Sequence, residues 1–369
     1  MPTSVGIITT NFPEGKRRNI AFASFGGGNP VGYALGLLLG GIFVKTVGWR
    51  YAYYFSLALN AVVFVSAFFS LPADTADRAS LDRLKSAVDW VGLALISAVL
   101  AILSYVLASI TSESSLSPKK PLNIALLILA ILLIPTFVAW VGRQETRGRP
   151  AIIPNSLWRQ SGFTSVCVAT FLTWAMFNAL AFFATLLMQE IQHISPLQTS
   201  LQFLPLVVLS VFANFVAGYL VDKVAANKLA FGATVLSAGA PLIFALLSPE
   251  WPFWAAMFPA MCLIPLSSDF LFNIANLVIT ATFSTKDQAL AGGVFNTVSQ
   301  LGSSIGLAVT AAIAASVESS GSHGDMNSAE AALKGYRTVF WTCLGAALAS
   351  CAISTFGLRK SGKVGLKRE

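Results

Sequence analysis

The stretch PFWAAMFPAMCLIPLSSDFLFNIANLVITA, residues 252–281, runs for thirty residues with a single charged side chain, Asp269. A helix needs about 20 consecutive apolar residues to cross the hydrocarbon core of a bilayer. A stretch of this length and composition therefore predicts a membrane-spanning helix. Because a carboxyl group is costly at that depth, Asp269 is also the first candidate for a functional residue.

Apolar runs of the same kind recur along the whole chain. Ten of them are long enough to span a bilayer, and the short connections between them carry Pro, Gly, Ser and charged residues, as turns between helices do. The ten predicted spans are residues 21–44, 51–71, 89–110, 122–141, 163–188, 200–221, 229–248, 252–281, 289–316 and 337–358.

The overall composition supports the same class of protein. Hydrophobic residues make up 55% of the chain and charged residues 11%, with a mean hydropathy of +0.71. A soluble chain carries about 25% charged residues. Too few polar side chains are present to cover a water-soluble surface, so we predict an all-α polytopic membrane protein.

The basic residues predict the orientation of the spans. Eighteen of the 24 Lys and Arg residues fall in one set of alternate connections and six in the other. Since basic residues are retained on the cytoplasmic side, both termini are expected to be cytoplasmic. Basic stripes interleaved with aromatic residues, which would indicate nucleic-acid binding, do not occur, so no nucleic-acid partner is predicted despite the net charge of +8.

Sequence signals for bond-making chemistry are missing. The four cysteines lie inside apolar runs and form no CxxC pair or Cys/His cluster, which argues against a disulfide framework or a metal site. No phosphate-binding loop and no nucleophile–base pair is found, so an ATP-driven pump is not predicted. We therefore expect no catalytic residues, no metal and no cofactor, and a chain that is not an enzyme.

The first span carries a row of glycines four residues apart, which places them on one helix face. Small residues there let another helix approach closely in lipid, and ordinary tight packing is the simplest interpretation. The run Gly36-Leu37-Leu38-Leu39-Gly40-Gly41 also resembles the antiporter motif G-P-x-x-G-G in the fifth helix of major facilitator drug:proton antiporters, with Leu37 in place of the proline. The glycines assigned to this motif are Gly28, Gly32, Gly36, Gly40 and Gly41.

The connection after the sixth span, GYLVDKVAANK at 218–228, resembles a second motif of that superfamily. It is similar to the second-half copy of the cytoplasmic loop motif G-x-L-x-D-[RK]-x-G-x-[RK]-[RK], with Ala225 replacing a glycine. The resemblance implies a latch between helix ends, made by charge pairs and helix dipoles; the competing interpretation is that two lysines follow the positive-inside rule. The residues assigned to this motif are Gly218, Asp222, Lys223 and Lys228.

The resemblance covers residues 11–358 and is nearest to the fourteen-helix drug:proton antiporters, in fungal sequences similar to aminotriazole-resistance multidrug transporters. In that branch two extra helices join two six-helix halves. The resemblance therefore implies a remnant of the N-terminal half at 1–71 with two full helices, two central linker helices at 72–160, the C-terminal half at 161–358 and a basic cytoplasmic tail at 359–369. It also implies a major facilitator fold that lacks roughly its first four helices.

Asp269 is the only acidic residue deep in a predicted span, and no Lys or Arg lies deep in any span to pair with it. A desolvated carboxyl group without a cationic partner suits the binding and release of a proton, so Asp269 is our proton-coupling candidate; a permanently protonated structural residue is the competing interpretation. Polar and aromatic side chains at helical spacing on three spans suggest a cavity for lipophilic compounds, although amides that join helices and interfacial aromatics explain them equally simply. The cavity candidates are Trp174, Asn178, Asn273, Asn276, Asn296 and Gln300.

These observations predict a transporter that exports small lipophilic compounds by proton antiport, most simply in the plasma membrane, with a vacuolar or other endomembrane as the alternative. Its expected partners are the lipid bilayer, a small lipophilic substrate and protons, with self-association if the ten spans work without further helices. Two alternatives stay open: transport of another small molecule, such as an iron-chelate or a secondary metabolite, and a non-transporting truncated remnant or membrane sensor.

Overall fold

The computed structural model describes residues 7–8, 12, 16–70, 88–112, 121–221, 223–322 and 328–359, and within these ranges the regular secondary structure is helical. The helices are α1 (Lys16–Thr46), α2 (Arg50–Ser70), α3 (Trp90–Ser112), α4 (Pro121–Thr146), α5 (Asn155–Trp158), α6 (Ser161–Leu186), a π-helix (Leu187–Ile191), α7 (Pro196–Gln202), α8 (Leu204–Leu220), α9 (Ala226–Leu246), α10 (Met257–Thr282), α11 (Thr285–Ser322) and α12 (Ser328–Gly357).

The long helices coincide with the ten predicted spans. Among the described residues, eight helical segments are long and apolar enough to cross a membrane, and the first and third spans contain shorter apolar segments, Pro30–Thr46 and Trp90–Val106. Large apolar side chains point outward along these helices; Phe68 and Phe69 of α2 are 75% and 81% exposed. Such surfaces require a lipid environment, which confirms the predicted class of an all-α polytopic membrane protein.

Several span boundaries differ from the prediction, and in two spans the helix itself changes. The fifth span continues past its predicted end as a π-helix, and the sixth span is divided into α7 and α8 at Phe203. Pro205 lies in the first turn of α8, where a residue without an amide N–H is tolerated because that group has no helical partner. The break therefore coincides with a proline that favours a new helix start.

The helices α6 and α8–α12 form one bundle whose interior contains two buried apolar clusters. Within it α6 packs against α10, α11 and α12, and α9 packs against α10 and α12. The α6–α11 seam is especially close, because a Cβ atom on Gly302 or Gly306 would overlap the backbone of Phe171 or Ala175. Three of the four cysteines, Cys167, Cys343 and Cys351, are buried in this bundle, and Cys262 is half-buried.

The remaining long helices lie around this bundle. Helices α3 and α4 pair with each other, and α3 also touches α11. Oδ1 of Asp89 ties the pair together at one end, since it accepts from the backbone N–H of Gly92 and from Nε1 of Trp140 at 2.9 Å. Helix α1 packs against α7 and α8, whereas α2 has no buried residue and packs on α1. The division into domains at 71, 160 and 358 stays a prediction.

Candidate functional site

A polar cluster, in which Ser210 is buried and the other side chains are half-buried, joins α8 to α10 around Asp269. The hydroxyl of Ser210 donates to Oδ2 of Asp269 at 2.6 Å, and Ser210 itself is 6% exposed. The carboxylate lies near the middle of α10, within an otherwise apolar span. Its partners among the described residues are thus neutral, the Ser210 hydroxyl and the Asn214 side-chain amide, and no basic side chain in the described part of the chain forms an ion pair with it.

The cluster extends one helical turn along both helices. Asn273 donates from Nδ2 to Oδ1 of Asn214 at 2.9 Å and to the backbone oxygen of Asp269 at 2.9 Å. Asn214 in turn donates to the backbone oxygen of Ser210 at 3.0 Å. The structure therefore brings together Asp269 and Asn273, two of the predicted site residues, on the face of α10 that meets α8.

Sequence analysis did not identify Ser210 and Asn214 as site residues. Both stand in an apolar span and are four residues apart, so they share one helix face. The same spacing links Asp269 to Asn273. Two polar pairs with equal spacing on two different spans were the signal that could have revealed this contact.

A second polar contact lies between α6 and α11. Nδ2 of Asn178 donates to Oγ of Ser303 at 2.9 Å and to the backbone oxygen of Trp174 at 3.1 Å. This contact uses predicted residues of the fifth span, but its partner is Ser303 rather than Asn296 or Gln300. It lies on a different helix pair from Asp269, so the predicted residues divide into at least two groups.

Trp174 belongs to an aromatic row that connects α6 to α1. Its ring centroid is 5.6 Å from that of Phe177, and Phe177 is 6.3 Å from Tyr33 in an edge-to-face arrangement. Nε1 of Trp174 and Oγ1 of Thr170 are buried without a hydrogen-bond partner in the described structure. These two unsatisfied polar atoms lie one helical turn apart on α6.

The structure does not bring the other cavity candidates together at one site. Asn276 and Asn296 are half-buried on α10 and α11, and Gln300 is exposed. A cavity of about 580 Å³ lies between α3, α6 and α11. Its lining includes Leu100, Leu103, Phe182, Leu301, Ser104 and Ser304, and none of the six predicted cavity residues.

The glycines of α1 differ in what surrounds them. A Cβ atom on Gly41 would overlap Ser200 of α7, so this glycine permits close packing of α1 on α7. No described atom lies within 4 Å of such a Cβ at the other four motif positions. For those four, Gly28, Gly32, Gly36 and Gly40, the expected close approach is not made by the described residues.

The loop motif lies at the end of the bundle where α8 and α9 are connected. Asp222 lies outside the described residues. Nζ of Lys223 lies 3.6 Å from the ring centroid of Tyr219, and Lys228 is exposed in the first turn of α9. Gly218 is exposed with open space around it. These contacts do not connect separate helices, so the latch stays a prediction.

A second set of polar contacts, not predicted from sequence, lies at the opposite end of the bundle. The hydroxyl of Tyr336 donates to Glu190 of the π-helix at 2.5 Å. Nη2 of Arg337 donates to the backbone oxygen of Leu247 at 3.0 Å, just after α9 ends. These contacts hold the ends of α6, α9 and α12 together.

The helical architecture and the lipid-facing surface define a polytopic membrane protein. The sequence model of the Major Facilitator Superfamily matches residues 1–307 and 166–368. The chain belongs to this superfamily.

Individual relatives extend over most of the chain. An "MFS-type transporter 1" of Pyricularia oryzae is 43% identical and is aligned with 99% of this chain and 67% of its own length. An "Efflux pump terJ" of Aspergillus terreus is 22% identical over 96% of this chain and 66% of its own length. A "Low affinity ammonium transporter" of Saccharomyces cerevisiae is 25% identical over 94% of this chain and 64% of its own length. The chain thus spans about two thirds of the length of these relatives.

Proposed function

We propose that this chain exports small lipophilic compounds in exchange for protons, with Asp269 as the group that binds the proton. The observation that carries the proposal is the contact between Asp269 and Ser210 at 2.6 Å in the middle of two spans. A carboxyl group at this depth with a neutral partner is expensive for the fold and is commonly functional in membrane proteins.

The chemistry of the cluster accommodates both protonation states. The ionised carboxylate accepts the hydrogen bond from Ser210. Because a hydroxyl oxygen also accepts hydrogen bonds, a protonated Asp269 has an acceptor within reach without a change of partner. A change of protonation at Asp269 can therefore be accommodated by reorientation of the Ser210 hydroxyl, while the amides of Asn214 and Asn273 link the two helices one turn away.

Export as the direction of transport is supported by two features. The glycines of α1 and the 218–228 loop resemble motifs of fourteen-helix drug:proton antiporters, and we place the chain in that branch. A relative named an efflux pump is similar over 96% of the chain. By the distribution of basic residues, we propose that the termini face the cytoplasm and that the protein resides in the plasma membrane.

The test is efflux of a fluorescent lipophilic cation from pump-deficient yeast that expresses the chain, with and without a protonophore. Asp269→Asn should reduce protonophore-sensitive efflux to the level of cells with empty vector, because an amide does not titrate. Asp287→Asn is a matched control: Oδ2 of Asp287 also accepts from a serine hydroxyl, Ser284, at 2.7 Å, but at an exposed position. Wild-type efflux in well-expressed Asp269→Asn would contradict the role of Asp269.

Transport of a different small molecule is the second candidate function. The observation that favours it is a relative named for ammonium transport that covers 94% of this chain. Competition separates the two functions: excess ammonium, an iron-chelate or a secondary metabolite should leave efflux of the lipophilic cation unchanged under our proposal. A well-expressed chain that moves none of these compounds would instead support a non-transporting protein.

A further inference from the structure

An apolar groove opens between α8 and α9. These consecutive helices both pack against α10 but make little contact with each other. The space that separates them has a volume of about 340 Å³ and is bounded on its third side by residues of α10. The result is an elongated groove on the surface of the bundle, with α10 as its floor.

The groove is apolar along its whole length except at one end. Its walls include Leu209, Phe212 and Val216 of α8 and Leu229 and Leu236 of α9. Lys228 is the one lining residue with a polar side chain. Gly232 lies midway along the α9 wall, and a Cβ atom there would meet nothing within 4 Å, so its missing side chain leaves the groove open.

The length of the groove corresponds to one leaflet of a bilayer. It extends along α8 from Leu220 to Leu209, which at 1.5 Å per residue is about 16 Å. Half of a hydrocarbon core is about 15 Å. The groove therefore begins at the end of the bundle that carries Lys228 and ends near mid-membrane, where Leu266 and Phe270 flank Asp269 on the floor.

Positive charge is concentrated at the open end of the groove. Lys228 lines it there, and Lys223 lies nearby in the same connection with its ammonium over the Tyr219 ring at 3.6 Å. The segment 221–228 carries these two lysines and one aspartate, so its net charge is positive. Basic pockets between helices on the cytoplasmic side bind anionic lipid headgroups.

We propose that this groove binds one acyl chain of an anionic glycerophospholipid from the cytoplasmic leaflet, with the lipid phosphate at Lys228. The length and the apolar lining of the groove match an acyl chain, and Lys228 at its end matches an anionic headgroup. The proposal rests on the orientation proposed above but not on transport activity. It places a lipid against the same stretch of α10 that carries Asp269.

Headgroup preference is tested on the purified full chain by native mass spectrometry with an equimolar mixture of dioleoyl phosphatidylserine and dioleoyl phosphatidylcholine. We expect at least one phosphatidylserine to stay bound at collision energies that remove phosphatidylcholine. Lys228→Gln should lower its retention about fivefold, as loss of one cation near an anionic lipid predicts, and Lys228→Arg should restore it. Arg143→Gln, an exposed cation at the same end of the bundle, should have no effect.

The contribution of the groove itself is tested by filling it. Gly232→Leu should reduce retention of phosphatidylserine, whereas Gly345→Leu should not, since Gly345 is an exposed glycine of α12 with equally open surroundings. Glycerophosphoserine, which has the headgroup without acyl chains, should not displace the lipid.

Three results would overturn the proposal: equal retention of the two lipids by the wild-type chain, equal effects of the two leucine substitutions, or displacement by glycerophosphoserine. The wild-type comparison decides the headgroup preference even if a variant fails to fold. A chain that binds phosphatidylserine in the groove but shows no efflux would leave the lipid site standing and contradict the proposed function alone.

Discussion

Oγ of Ser210 lies 2.6 Å from Oδ2 of Asp269, and this contact joins two spans at the depth where water is scarce. Because the Ser210 hydroxyl donates to the carboxylate, we expect Ser210→Ala to lower protonophore-sensitive efflux about tenfold. This is the loss expected for a hydrogen bond to a charged group, which is worth roughly 1.5 kcal/mol. Initial efflux rates in yeast, normalised to surface expression, measure the effect.

A double-mutant cycle decides whether Ser210 acts through Asp269. The cycle uses Asp269→Glu, which keeps a titratable carboxyl group but moves it away from Ser210. If Ser210 acts through Asp269, Ser210→Ala should lower efflux less in the Asp269→Glu background than in the wild-type chain. Ser237→Ala is the control, since Ser237 is an equally buried hydroxyl that bonds to Ile264 and Ser267 instead. Equal loss of efflux in Ser237→Ala would show a packing effect and not a coupling role.

The spans could be predicted from sequence because their signal is local. Apolar length alone identified the eighth span, residues 252–281, as one helix, and the structure differs mainly at its start, where α10 begins at Met257. The unusual residue in that span, Asp269, was also visible locally, since a single acid in an apolar run stands out.

The partners of these residues could not be predicted in the same way. Whether Asp269 faces α8, α6 or a cavity depends on how the helices rotate against each other, which no local pattern fixes. The glycines illustrate this: the row in α1 was conspicuous, yet the closest backbone contacts in the described structure involve Gly302 and Gly306. A spacing of four residues identifies side chains that share one helix face. Which faces are in contact depends on how all the helices of the bundle pack together.

The α6–α11 seam should be sensitive to a single methyl group. A Cβ atom at Gly302 would overlap the backbone oxygen of Phe171, so Gly302→Ala forces the helices apart and should cost about 1–3 kcal/mol of stability. Gly345→Ala is the matched control, because space is open there and alanine favours a helix by about 1 kcal/mol over glycine. Thermal unfolding followed by size-exclusion chromatography in detergent should show a lower midpoint for Gly302→Ala and an unchanged or higher one for Gly345→Ala. Equal midpoints would contradict the close seam.

The cap of α3 connects the paired helices α3 and α4. Asp89 is 7% exposed, and its Oδ1 receives both the Gly92 N–H and the Trp140 indole N–H. Trp140→Phe removes the second donor and should lower stability by roughly 1.5–3 kcal/mol, the value for a hydrogen bond to a charged group. Trp341→Phe, at an exposed position, should have no comparable effect on the thermal midpoint. A midpoint for Trp140→Phe that equals that of Trp341→Phe would mean that the hydrogen bond does not stabilise the pair.

The unused indole N–H of Trp174 predicts a substrate preference. Because Nε1 is buried without a partner, a substrate with a carbonyl or ether oxygen can accept its hydrogen bond, whereas tetraphenylphosphonium, a cation without oxygen or nitrogen, has no acceptor. Trp174→Phe keeps an aromatic ring next to Phe177 and removes the donor. It should raise the KM for an acceptor-bearing substrate about fivefold, the equivalent of one neutral hydrogen bond, and leave the KM for tetraphenylphosphonium unchanged.

The control variant is Trp174→Ala, which should raise the KM for both substrates, since it also removes the ring. Equal changes for both substrates in Trp174→Phe would show that the indole N–H does not contact the transported compound.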